Sequence, residues 1–349
     1  MLRKWPAIFA AVSAVVLVGL MYAGSRGFRD FDPALIGYAV ASIFALAAIV
    51  YRYCLWITRP PTWRYFRAGW ANFFSWKNFR RYTSLVPVMS WRDIFGQTFI
   101  LNRSFERWLM HMCISWGVIL SCCITFPLTF GWLRFTLVGA DHYQLWFFGL
   151  PMFRFAIEGV TGFLLFHGLD ITAFILIVGL GIALKRRLED VGLRTTQRFG
   201  FDLVPLVLLF AIAVTGLALT ASSTWWQGRY YWFISLTHQV IVVAWLISLP
   251  FGKFFHIFQR PASMGVTLYQ TVNQGLAESE GKGAHTAACR RCGRELPSRQ
   301  FIEDLKGTLR DLGQNYSMAP DAVLQDFCPT CKRIVRGHAY YDAVGRKFV

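Results

Sequence analysis

Six apolar runs dominate the chain, at residues 5–23, 33–58, 108–130, 157–184, 202–222 and 234–256. A helix needs roughly 20 such residues to cross a bilayer, so each run is a candidate span. Six of them cannot all be buried in one water-soluble core. The composition agrees: 55% of the 349 residues are hydrophobic and only 16% are charged, too apolar a balance for a soluble chain of this length. The expected fold class is therefore all-α integral membrane, a six-helix transmembrane bundle. Arg3 and Lys4 before the first run also suit a signal peptide. The run ends in Met21-Tyr22-Ala23-Gly24 without a small-x-small cleavage site, so it is counted as a retained helix.

The net charge of +17 is carried by short basic blocks between the runs, which reads as a topology signal and not as a nucleic-acid surface. The connection 59–107 holds nine basic residues: Arg59, Arg64, Arg67, Lys77, Arg80, Arg81, Arg92, Arg103 and Arg107. The connection after the fourth run holds Lys185, Arg186, Arg187, Arg194 and Arg198. The opposite loops carry Arg26 and Arg29, then Arg134 and Arg154, then Arg229. This bias predicts a multi-pass protein of a bacterial or archaeal cytoplasmic membrane with both termini in the cytoplasm. Between Thr62 and Thr83, aromatic and basic residues interleave (Trp63, Tyr65, Phe66, Trp70, Phe73, Phe74, Trp76), as in a helix lying on an anionic leaflet. A basic loop with aromatic anchors is the alternative.

After Pro261 the chain turns polar. A Gly-rich linker is expected over 262–283, and its Gly281-Lys282 does not make a phosphate loop because Gly283 stands where Ser or Thr is needed. Beyond it, Cys289-x-x-Cys292 and Cys328-x-x-Cys331 form two pairs with 35 residues between Cys292 and Cys328. Two such pairs are the pattern of a four-thiolate metal site in a reducing compartment. The ion is zinc, or else an iron or iron–sulfur centre that would relay electrons. His285 and His338 are spare ligand candidates, and the gap between the pairs is predicted to hold a helix over Arg299–Leu312. The other four cysteines, Cys54, Cys113, Cys122 and Cys123, lie in apolar runs as small hydrophobes.

Ionisable side chains are rare in lipid and are functional candidates by default. Four of the seven histidines fall in the spans: His111, His167, His238 and His256. His238 and His256 are 18 residues apart, five whole turns, which on one continuous helix puts them on one face about 27 Å apart. His111 enters the third span from the side where His256 lies. His167 stands 18 residues before Lys185, at the depth of His238. Two depth-matched pairs, His111 with His256 and His167 with His238, suit two b-type haems with neutral imidazoles on both axial positions. Neither C-x-x-C is followed by His, which excludes covalent c-type attachment.

The segment Leu249-Pro250-Phe251-Gly252-Lys253-Phe254-Phe255-His256-Ile257-Phe258-Gln259-Arg260-Pro261 resembles the final helix of the gamma, cytochrome b subunit of respiratory nitrate reductase. The resemblance covers roughly 33–261 and implies a five-helix di-haem domain there, with the first helix (1–32) added in front. It implies His256 and, 18 residues upstream, His238 as ligands. The family's second helix carries two ligands ten residues apart; His111 matches the first, but Ser121 stands at the second, and His167 is the substitute. Related subunits serve heterodisulfide-reductase-like and nickel–iron-hydrogenase-linked complexes.

The resulting expectation has four segments: an additional helix (1–32), a di-haem domain (33–261), a linker (262–283) and a cytoplasmic metal-binding domain (284–349). The chain would be the quinone-reactive electron-transfer subunit of a respiratory complex. Its partners would be lipid, quinone and soluble redox subunits of hydrogenase, nitrate-reductase or heterodisulfide-reductase type. Glu158, Asp170 and His142 are the candidate proton donors of a quinone site, with Asp170 alternatively a hydrogen-bond partner of His167. Two other classes compete. A secondary transporter would use the membrane histidines as a proton relay, but the sequence carries no repeated half. A membrane scaffold presenting a zinc ribbon leaves the matched histidines unexplained.

Overall fold

The computed structural model of the chain describes residues 4–74, 76–190, 197–279, 286–314, 316–319 and 322–344. In chain order the elements are α1 (Lys4–Gly24), α2 (Ile36–Ile57), α3 (Pro60–Phe73), α4 (Trp76–Ser90), α5 (Phe105–Thr129), β1 (Leu133–Val138), β2 (His142–Phe147), β3 (Leu150–Ala156), α6 (Val160–Glu189), α7 (Val204–Thr224), α8 (Tyr231–Ser248), α9 (His256–Ser279), β4 (Thr286–Ala288), β5 (Glu295–Ser298), α10 (Arg299–Asp311), β6 (Ser317–Ala319), β7 (Ala322–Val323) and α11 (Pro329–Val344). Among the described residues six helices are long and apolar enough to cross a membrane: α1, α2, α5, α6, α7 and α8. The all-α membrane fold of the sequence reading is borne out. Two compact units result, Met1–Cys54 with Gly96–Ile257, and Leu55–Phe95 with Phe258–Val349.

In the first unit α1 is part of the bundle and not an appendage. Its Leu17 and Met21 are buried with Ala39 and Phe130, against Phe31, Ile43, Leu46, Phe126 and Trp132. Trp132 also donates its indole N–H to the Leu20 carbonyl at 3.0 Å. The second span starts at Pro33 on a 3-10 turn, where Asp32 accepts the Ala34 N–H at 2.9 Å and satisfies a donor that the helix start leaves open.

Helices α5 and α6 approach closely through glycines, as helices in lipid do where packing substitutes for the hydrophobic effect. A Cβ on Gly179 would stand 2.8 Å from Cys113 Cβ and 2.9 Å from the Ile114 backbone nitrogen; one on Gly117 would stand 2.9 Å from Leu176 Cβ.

Between α5 and α6 the chain forms an antiparallel meander, β1-β2-β3, where only a loop is expected from the sequence. Phe135, Tyr143 and Phe155 from the three strands meet Phe166 of α6, with ring centres 5.5–6.1 Å apart. The alternation that makes this sheet is carried by aromatics, and it is masked by the apolar residues around it.

The sixth run differs most from expectation. α8 stops at Ser248, whose carbonyl accepts from both Phe251 and Gly252 at 3.0 Å. Pro250 has no N–H to continue the ladder, and Gly252 is extended, at φ −90 and ψ −165. A 3-10 turn at Lys253–Phe255 follows, and His256 opens the next helix. His238 and His256 therefore do not share one continuous helix.

In the second unit α4 and α9 pack through Met89 and Leu268, joined by Phe73, Leu85, Val86 and Met264. The single expected surface helix is two helices, α3 and α4. The expected linker is helical to Ser279, because nothing before Gly275 breaks it except Pro261. Gly281, Lys282, Gly283 and His285 lie outside the described residues. The helix expected at 299–312 is present as α10.

The α5–α6 contact makes a prediction. Gly179→Val drives a side chain into the Ile114 backbone and should destabilise the bundle by about 1–3 kcal/mol. Gly181→Val, where a Cβ meets nothing within 4 Å, should be neutral. Unfolding of the purified protein in mixed detergent micelles compares the two.

Candidate functional site

The four tail cysteines converge. Their sulfurs all lie within 4.8 Å of one another, and those of Cys292 and Cys328 are 3.7 Å apart. Four thiolates about 2.3 Å from one tetrahedral ion stand about 3.8 Å from each other, so the cluster has the dimensions of a metal site. The first pair sits on the tight turn between β4 and β5. Cys289 N–H donates to the Arg294 carbonyl at 2.8 Å and Gly293 N–H returns to Cys289 at 2.9 Å. Gly293 has φ +70, a left-handed conformation that suits glycine. The second pair straddles the start of α11, with Pro329 at the first helical position, where its missing N–H costs nothing. Leu296, Ala287 and Phe327 pack around the sulfurs.

Backbone donors prepare the thiols for ionisation. Cys328 N–H points to Cys289 Sγ at 3.3 Å and Cys331 N–H to Cys328 Sγ at 3.5 Å. Burial raises Cys289, but the N–H groups of Cys328, Cys292 and Arg291 outweigh it and bring the thiol down to about 6. Cys331, pushed up by burial and by the three neighbouring sulfurs, reaches about 12. Four crowded thiols cannot all ionise without a cation to neutralise them. His338 lies on α11, seven residues past Cys331, and is not in the cluster.

Within the first unit, His111 on α5 and His256 at the start of α9 face each other, ring centres 6.5 Å apart and planes at 70°. Two imidazoles on opposite sides of one metal ion, each bonded at about 2 Å, have ring centres about 6 Å apart. The ring separation is close to that distance. His256 Nδ1 lies 2.6 Å from the Lys253 carbonyl oxygen. That oxygen can only accept, so Nδ1 carries a proton, and in the neutral ring Nε2 is the free lone pair.

The other two histidines are held in the same tautomer but separately. His167 Nδ1 is 3.1 Å from Asp170 Oδ2, and Thr220 donates to Asp170 Oδ1 at 2.7 Å. His238 Nδ1 is 2.8 Å from Thr215 Oγ1. The Thr215 hydroxyl proton is engaged by the Ala211 carbonyl at 2.6 Å, so the histidine is the donor there. Thr215 and Thr220 project about 140° apart around α7, and among the described residues no ring contact joins His167 to His238. Helix α7, which packs against both α6 and α8, meets the two separately, through Thr215 to His238 and through Thr220 to Asp170, the partner of His167. Ser121, standing where the resemblance implies a ligand, shares a hydrogen bond of 2.8 Å with Thr172 of α6.

The three quinone candidates are also dispersed. His142 opens β2, exposed, beside Asp141 at 2.8 Å; Glu158 is exposed in the turn before α6. Asp170 is ten residues into α6, about 15 Å along it, committed to His167 and Thr220. Sequence reasoning missed the two threonines, since a Thr in an apolar helix gives no signal of what it bonds.

The fold and the cluster define a multi-pass membrane protein with a tail able to hold a metal ion. No family model matches the chain, and neither a curated protein nor a solved structure is detectably similar to it.

The cluster predicts one metal ion per chain, lost on Cys289→Ser or Cys328→Ser. Metal analysis of the purified protein checks the count. A chelator should unfold 286–344 alone, since the bundle has its own core.

Proposed function

We propose that the chain is a membrane cytochrome b subunit that passes electrons between a soluble oxidoreductase partner and the quinone pool. The observation that supports this best is the facing pair His111 and His256, at the separation of two axial ligands and with one imidazole already oriented by the Lys253 carbonyl. Bound there, a b haem supplies one-electron chemistry. The chain's own part is to hold the two imidazoles close together and to anchor His256 through its Nδ1. Next to His256 in sequence, Lys253 is paired with Asp202 at 2.6 Å.

A second haem is part of the proposal, with His238 as one ligand and His167 as the other. The first pair carries the reading, since its two rings stand 6.5 Å apart, while among the described residues no ring contact joins the second. Quinone would enter from the bilayer, with Asp170, Glu158 and His142 as candidate proton donors. The basic connections would face the cytoplasm of a bacterial or archaeal cell, and the metal domain with them, zinc-bound or iron-bound. A scaffold presenting the metal domain accounts for the cysteines equally well, but not for a histidine pair oriented in this way.

The test is a reduced-minus-oxidised spectrum with a haem assay. The purified protein should show b-type bands that fall by one haem per chain in His111→Ala and again in His256→Ala, without additivity. His167→Ala should remove a second haem only. Protein expressed with adequate haem supply and containing none would overturn the reading.

A further inference from the structure

Helix α3 has two opposite faces, and each meets something different. At 100° per residue, Trp63, Phe66, Trp70 and Phe74 fall within about an 80° arc, opposite Arg64 and Tyr65. The second face is occupied by the metal-binding domain. Arg64 Nη2 pairs with Asp311 at 2.7 Å and Nη1 lies 4.0 Å from Asp304. Tyr65 packs against Phe301, with ring centres 5.6 Å apart and planes tilted by 31°. The Arg64 guanidinium lies flat on Gly307, where an added Cβ would stand 2.6 Å from it. Tyr269 of α9, 1% exposed, donates to Asp304 at 2.9 Å, so α10 is held from α3 and α9 together.

The first face is an open aromatic ladder. Consecutive rings from Trp63 through Phe66 and Trp70 to Phe74 are 5.4–6.1 Å apart. Trp63 is 43% exposed, Trp70 47% and Phe74 73%, and beyond the turn Trp76 is 88% exposed. Arg67 is exposed beside this face, over the Trp63 ring. Residues 58–92 contain seven Lys or Arg and no Asp or Glu.

We propose that α3 is a two-sided adaptor that seats its aromatic face in an anionic phospholipid leaflet and carries the metal-binding domain on its other face. Chain continuity supports the occupant: only Thr58 and Arg59 separate α3 from the end of a membrane span, so its first turn begins within about 10 Å of that span's end. Chemistry supports it too. Trp and Tyr prefer the headgroup level, and an unbroken basic stretch is drawn to anionic lipid. The tail is thereby held against the membrane rather than swinging on a linker.

Hydrogen exchange of the full-length protein in nanodiscs tests this, independently of any haem. In phosphatidylcholine discs doped with phosphatidylglycerol, α3 amides should exchange at least tenfold more slowly than in phosphatidylcholine alone. The triple variant Trp63→Ser, Trp70→Ser, Phe74→Ser should lose that dependence and keep its metal. Arg64→Asp should raise exchange in α10 about fivefold, and Asp311→Arg added to it should restore protection. Gly307→Leu, which displaces the guanidinium without removing charge, should act like Arg64→Asp. Exchange of α3 indifferent to anionic lipid, protection that instead scales with the number of copies per disc, or α10 unchanged in both Arg64→Asp and Gly307→Leu would overturn the proposal.

Discussion

In hydrocarbon there is no water to bond a peptide group, and each one left unpaired costs several kcal/mol. The spans must therefore close their own backbone bonds, which leaves the helix as the local solution and pushes every irregularity to an end. The structure obeys this closely. The meander β1-β2-β3 follows α5 and precedes α6, the π turn at Phe199–Leu203 stands at the very start of a span, and α8 ends before Pro250. Within the spans the polar side chains answer the same demand. Thr215, Thr125 and Ser121 each turn to a neighbouring carbonyl, hydroxyl or imidazole.

That demand also accounts for the state of the histidines. A charged imidazolium in lipid is costly, and a neutral one has a single N–H that needs an acceptor. At His167, His238 and His256 the acceptor is respectively a carboxylate, a hydroxyl and a carbonyl, each meeting Nδ1. In a neutral ring the remaining nitrogen is then the lone pair. Satisfying the membrane's requirement and preparing a metal ligand are the same arrangement, so single anchored histidines carry little weight. What distinguishes His111 and His256 is that their two rings come within 6.5 Å of each other.

Hydropathy made the spans legible because length and apolarity alone decide whether a helix crosses. The four-cysteine cluster was equally legible, since paired C-x-x-C turns converge on one ion whatever joins them. Boundaries failed where a local breaker sat inside an apolar run: Pro250 and Gly252 look like part of a span in any averaged window. The linker was misread for the converse reason. Residues 262–279 are polar enough to look unstructured, yet they gain a helix by burying Leu268 and Tyr269 on one side. The pairing of His167 with His238 was inferred from depth, and depth says nothing about direction around an axis. What bears on direction is the local bonding, His238 to Thr215 and His167 to Asp170.

The break after α8 has a consequence for His256. In an uninterrupted helix the Lys253 carbonyl would be taken by the backbone N–H four residues on, and an imidazole at 256 would have to seek an acceptor elsewhere. The extended Gly252 and the 3-10 turn shorten that ladder, so the Lys253 oxygen takes the His256 backbone N–H and the ring Nδ1 together. The ring is pinned by its own backbone rather than by a neighbouring helix. It is then free to point at His111 without any other span supplying an acceptor. A run that looks like one straight helix would place His256 at the right height. The broken one gives it a fixed direction, which is what a ligand needs.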